Sequence, residues 1–142
     1  MVTYFGNYKP KMIKDNLFCN SPIDFNESLN LIRRSKVVVC FNAHITEGIT
    51  ERIPTVLLNK SIVVTERNKY IDDNFEDNEI ISFEYNNIND CIKRVKEVLN
   101  DKNLAEEYIL RGYKKAIRMF NIDSLAIRFI DAYKTYLQWF TS

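Results

Sequence analysis

Four short apolar runs, mostly β-branched, constrain this chain more than any other feature. They are Val2–Phe5, Val37–Phe41, Ile62–Thr65 and Ile80–Phe83. Their apolar residues are nearly continuous instead of alternating, which suits strands covered on both faces, as in a parallel sheet. Helical patterns separate them. Asp24–Ser35 opens with an N-cap residue and has Glu27 three positions on, the spacing of a capping box. Thr50–Asn59 carries Pro54 in or next to its first turn, where a missing N–H is tolerated. Asn68–Phe75 predicts a short helical turn. After the fourth run the period becomes helical throughout. Ile88, Cys91, Ile92, Val95, Val98 and Leu99 mark one amphipathic helix, Leu104 to Phe120 a second and Leu125 to Phe140 a third. The alternation predicts an α/β fold: a Rossmann-like, three-layer parallel sheet of about four to five strands, with right-handed crossovers and a C-terminal helical tail.

A chain of 142 residues fits one domain, so residues 1–142 are expected to form a single unit. Twenty Lys and Arg against nineteen Asp and Glu give a net charge of +1, which supplies no global field for nucleic acid or an acidic membrane. The charge is unevenly spread: residues 66–90 are net −6 and residues 91–120 net +4. The two stretches can face one another, although separate solvated faces are the plainer expectation. Three cysteines, Cys19, Cys40 and Cys91, are widely spaced with no CxxC, which points to reduced thiols and a cytoplasmic setting. Cys40 and Cys91 read as small core residues. No apolar stretch approaches a membrane span, and the first residues are strand-like with no signal-peptide pattern.

In open parallel sheets, ligands bind beyond the carboxyl ends of the strands. That rule selects Gly6-Asn7 after the first strand, Asn42 to Thr50 after the second and Glu66 to Tyr70 after the third. These loops hold two of the three glycines and the single histidine. The second loop runs into a helix start at Thr50–Arg52, where free amides and a partial positive charge suit a phosphate. Gly48 permits close backbone approach, and Arg52 offers a bidentate guanidinium; a capped helix with a surface arginine is the plainer alternative. His44 is the candidate imidazole base or electrophile, or else a loop histidine bonded to backbone. Glu47 and Glu51 can bind sugar or ribose hydroxyls, or simply favour the helix start. Glu66 and Arg67 can contact a ligand or pair with neighbouring charges. With no Cys/His/Asp cluster around His44, no metal site is expected. The patterns GxxxxGK[ST], GxGxxG, HExxH and GxSxG are all missing, which disfavours P-loop, dinucleotide-dehydrogenase, zincin and α/β-hydrolase chemistry.

Two further features have ordinary readings. The basic and aromatic stretch Arg111–Arg118 is better explained as the solvated face of an amphipathic helix than as a nucleic-acid patch. Trp139 and Phe140 are expected to pack back onto the sheet; exposed, they would be anchors for a partner.

The order and spacing of these pieces resemble the C-terminal, donor-binding half of GT-B glycosyltransferases, nearest to bacterial group 1 and spore-maturation-type domains. The likeness is carried by Asp24-Phe25-Asn26-Glu27-Ser28-Leu29 leading to Arg34-Ser35-Lys36-Val37-Val38-Val39 and by the Gly-x-x-x-Arg segment Gly48–Arg52. It continues through Leu57–Thr65, Asn68–Phe75 and the helices from Ile88 to Phe120. It implies a domain that holds a nucleotide-sugar as substrate and needs no cofactor or metal. The diphosphate would lie near Gly48 and Thr50–Arg52, and base and ribose near the ends of the third and fourth strands. On this reading His44, Glu47 and Arg52 act in catalysis, and Gly6, Asn42, Gly48, Thr50, Glu51, Thr55, Glu66 and Arg67 hold the nucleotide. Many relatives carry a Glu-x7-Glu pair; here Glu47 takes the first place and Thr55 the second, where a hydroxyl replaces a carboxylate. The acceptor-binding half is expected to be missing from this chain, to be supplied by a longer enzyme or a partner. The alternative reading is a non-catalytic Rossmann-like interaction or regulatory module that docks a partner or a second copy of itself. A flavodoxin-like receiver domain is disfavoured because no strand end carries an acidic cluster for Mg²⁺.

Overall fold

Asp24 caps the first helix as its spacing requires, its side chain accepting from the Glu27 N–H at 2.9 Å. In the computed structural model, the backbone is described for residues 2–5, 17–41 and 45–141, and the side chains for 21–41 and 45–139. The elements are β1 (Val2–Phe5), β2 (Leu17–Asn20), α1 (Phe25–Arg34), β3 (Val37–Cys40), α2 (Arg52–Leu58), β4 (Ile62–Glu66), α3 (Lys69–Asn74), β5 (Ile81–Phe83), α4 (Ile88–Asn100), α5 (Lys102–Phe120) and α6 (Ile122–Thr141).

Among the described residues all strand pairings are parallel. The parallel α/β class is as expected, with three strands in the main sheet: among the described residues β1 pairs with β2, and the main sheet runs β3-β4-β5. β2 escaped the sequence reading because Leu17-Phe18-Cys19-Asn20 holds none of the β-branched residues that mark the other runs.

The centre of the larger sheet behaves as its composition demands. β4 reads Ile-Val-Val-Thr-Glu and its first four residues are buried. Ile62 and Val64 join one apolar cluster with Ile81, Phe83, Cys91, Val98 and Tyr108, from β5, α4 and α5. Val63 points the other way, into a cluster with Cys40, Ile53, Val56, Leu57 and Ile71. A strand with no polar face is stable only when helices cover both sides, and here α2 lies on one face and α4 on the other. At its C-terminus α2 closes with a Schellman pattern: Lys60 N–H donates to Leu57 O (3.0 Å) and Ser61 N–H to Val56 O (3.2 Å), with Lys60 in the left-handed region at φ 59°. Buried Ser61 then ties α1 to β4, its hydroxyl lying 2.6 Å from Ile32 O and 2.8 Å from Ser35 O.

The acidic stretch and the basic helix do face one another, contrary to the plainer expectation. Arg111 of α5 meets Glu76 at 3.4 Å and Glu107 at 3.5 Å. Lys115, one turn on, meets Glu79 at 3.6 Å, and Glu79 is buried. Backbone shape brings them together: Gly112, between the two basic residues, lets α5 approach the chain so closely that a Cβ there would stand 2.6 Å from Glu79 O.

The C-terminal helix departs further from expectation. Trp139 does not pack back onto the sheet; it is 81% exposed, and Ile122 and Phe129 of α6 are similarly open at 81% and 74%. Among the described residues no helix is long and apolar enough to cross a membrane.

Candidate functional site

Parallel pairing in register sets the strand ends side by side. Cys40, the last residue of β3, is level with Thr65, and Glu66, the last of β4, is level with Phe83 of β5. The loops that leave these three ends therefore open on one edge, the carboxyl edge of the sheet.

The loop after β3 brings Glu47, Gly48, Thr50, Glu51 and Arg52 to this edge. Glu47, Glu51 and Arg52 are exposed, and Gly48 and Thr50 half-buried. The hydrogen-bond ladder of α2 begins with Ile53 N–H to Thr50 O (3.1 Å) and Thr55 N–H to Glu51 O (3.3 Å). Pro54 has no N–H, so the helix start offers at most the amides of Glu51 and Arg52 to a ligand. Glu51 stands at the N-cap with helical backbone angles and no side-chain capping bond. The Thr55 hydroxyl donates to Glu51 O at 2.8 Å, which leaves its oxygen as an acceptor. Gly6, Asn42 and His44 lie outside the described residues.

The two arginines of these loops differ in their surroundings. Arg67 forms ion pairs with Asp72 and Glu84, both at 3.2 Å, and its N–H donates to Phe83 O at 2.8 Å. Two carboxylates thus already neutralise its guanidinium. Arg52 makes no ion pair among the described residues and is exposed at the head of α2. It lies close enough to β3 for its charge to pull on the Cys40 thiol. A polar cleft of about 600 Å³ also opens beside β5, lined in part by Arg67, Arg94 and Arg111. Those three cations are bridged to Asp72 and Glu84, to Asp90 at 3.0 Å, and to Glu76 and Glu107. Among the described residues the cleft has no unpaired cation to offer a phosphate; the head of α2 does.

The glycosyl transferase-like family, by its sequence pattern, matches residues 2–131. The chain belongs to this family. The fold agrees with a GT-B-like glycosyltransferase domain. The crystal structure of TarM superposes with a TM-score of 0.66 over 82% of this chain, at 20% identity. The chain spans 23% of the length of TarM. No curated protein matches it at the sequence level.

Within this glycosyltransferase domain, Asn68 is the residue of the edge that sequence reasoning passed over. Its side chain accepts from Ile71 N–H at 2.9 Å and so caps α3. The same amide donates to Ile45 O and to Gly48 O, both at 2.9 Å. The helix-capping role was legible as an Asn three residues before a buried Ile; the reach to the neighbouring loop was not.

Cys40 closes β3 immediately under the site and has no exposed surface. Burial pushes its thiol up to about 12, against a smaller opposing pull from Arg52. A thiol whose folded pKa is raised contributes stability below its unfolded pKa of about 9, and that stability is lost as pH rises toward about 12. We expect Cys40 to resist alkylation at pH 8 in the native protein and to be modified in denaturant, read by peptide mapping after maleimide treatment. Native-state labelling of Cys40 as fast as that of a free thiol contradicts this.

Proposed function

We propose that this glycosyltransferase domain binds the donor, a nucleotide-sugar, at the carboxyl edge of β3 and β4. The observation that carries the reading is Arg52: a cation without an ion pair among the described residues, exposed at a helix start beside a glycine-containing loop. On this reading the diphosphate sits against Arg52 and the adjoining first-turn amides, with Gly48 letting the backbone come close. Glu47, Thr55 and Glu66 receive ribose and sugar hydroxyls. His44, Asn42 and Gly6 complete the proposed set from sequence alone. In transfer, the bond from the anomeric carbon to the diphosphate breaks as one to an acceptor atom forms, and negative charge collects on the leaving oxygen. A guanidinium already in place stabilises that charge without reorganising, and so lowers the barrier. The acceptor is met by a second domain or a partner.

The test is calorimetry and ligand-shift NMR with UDP, GDP and their sugars. Shifts confined to residues 45–55 and 66–68 support the reading; no binding to any of them at millimolar concentration overturns it for this chain. One observation favours the alternative of an interaction module, the solvent-facing apolar residues of α6. A chain that light scattering finds to be a stable oligomer and that binds no nucleotide supports that alternative.

A further inference from the structure

We infer that Asn68 is a positioning residue that sets the height of the loop carrying Gly48, and through it the start of α2 with Arg52. This rests on the donor-binding reading for its functional consequence, though not for its geometry. The three side-chain bonds of Asn68 come from two separate segments. The carbonyl oxygen is held by Ile71 N–H of α3, which fixes the rotamer. The amide nitrogen then spends both protons on Ile45 O and Gly48 O, at 2.9 Å each. A side chain amide is suited to this task because it accepts on one side and donates twice on the other.

The anchor itself does not move freely. Asn68 O accepts from Asp72 N–H at 3.0 Å, and the preceding residue, Arg67, is fixed by Phe83 O, Asp72 and Glu84. The brace thus carries the position of β5 and α3 across to the loop after β3. Gly48 is four residues from Arg52, and its carbonyl is held by Asn68. Removing the brace frees that carbonyl and lets the loop and the helix start shift together.

Capping and bracing separate by substitution. Serine is a good N-cap acceptor but is too short and has too few protons to hold two carbonyls of another loop. Aspartate also caps, and presents only acceptors to Ile45 O and Gly48 O. The experiment compares the ¹⁵N-labelled wild-type chain with Asn68→Ser and Asn68→Asp. It reads amide exchange across residues 69–74 and the backbone amide shifts of residues 45–52 without ligand, then UDP affinity. We expect both variants to keep protection at Ile71 and to shift the amide resonances of Thr46 and Ile49, which follow the two carbonyls that Asn68 holds. UDP should bind Asn68→Ser about tenfold more weakly, the scale of one or two lost hydrogen bonds. Unchanged Thr46 and Ile49 shifts in both variants overturn the inference, as does Asn68→Ser binding UDP with wild-type affinity. If the wild-type chain binds no nucleotide, the donor-binding reading falls, and the shift data still decide whether Asn68 braces the loop.

Discussion

Gly112→Ala is expected to lower the thermal midpoint by about 6–10 °C, a loss of about 2–3 kcal/mol. Replacing glycine by alanine inside an exposed helix normally stabilises by about 1 kcal/mol, so the sign itself is the test. The added methyl would stand 2.6 Å from Glu79 O and 2.9 Å from Leu57 Cδ2. The first neighbour is backbone and has no rotamer to change. The second belongs to a side chain that is 1% exposed within the α2 core. Relief requires α5 to lift from the segment around Glu79, which also stretches the Lys115–Glu79 pair at 3.6 Å and leaves a buried carboxylate with a weaker partner. Urea or thermal melts compare it with Lys114→Ala, an exposed position on the same helix, which should move stability by no more than about 0.5 kcal/mol. A Gly112→Ala chain as stable as wild type, or more so, means that the close approach of α5 is not as described.

Arg52→Ala should weaken nucleoside diphosphate binding by about ten- to a hundredfold while leaving stability within about 0.5 kcal/mol. The two halves of this expectation have one cause. Arg52 is exposed and without an ion pair among the described residues, so the fold gains little from it; a ligand phosphate would be its first strong partner. Arg52→Lys keeps the charge but loses the planar fork, and should fall between. Arg67→Ala is the contrast. Its guanidinium is engaged by Asp72 and Glu84, so the substitution frees two carboxylates at the edge and should cost some stability as well as affinity. Calorimetry with UDP and GDP, paired with melts of each variant, separates these cases. Equal affinity of wild type and Arg52→Ala removes Arg52 from the site.

Much of the layering was legible because burial on both faces leaves a plain mark. A run such as Ile62-Val63-Val64 has no polar side to turn to water, so helices on both sheet faces follow from the sequence. Caps were legible for the same kind of reason: Asp24 with Glu27, and Pro54 in a first turn, act within a few residues of themselves. β2 was not, because Leu17-Phe18-Cys19-Asn20 has no β-branched residue to mark it as a strand. The pairing of Arg111 and Lys115 with Glu76 and Glu79 was not either, since charge counts give sign without place.

At the candidate site the division is sharper. The loops at the carboxyl edge follow from strand order, and Gly48 and Arg52 stand out in them by type alone. Which arginine is available does not follow. Arg52 and Arg67 are equal in sequence, and only the arrival of Asp72 and Glu84 around Arg67 distinguishes them. The exposure of α6 belongs to the same class. Its apolar period predicted burial, yet Trp139 is 81% exposed.

What the chain determined by itself were the properties that act locally or by averaging: strand and helix periods, caps, the parallel α/β class and the edge on which a ligand would lie. What tertiary structure alone decided were the meetings between distant residues: Asn68 with the Gly48 loop, Gly112 against Glu79 O, and the neutralisation of Arg67. The physical reason is range. Backbone propensity and side-chain periodicity are written within a few residues, whereas a hydrogen bond or a steric contact depends on the last ångström of packing, which no stretch of sequence encodes alone.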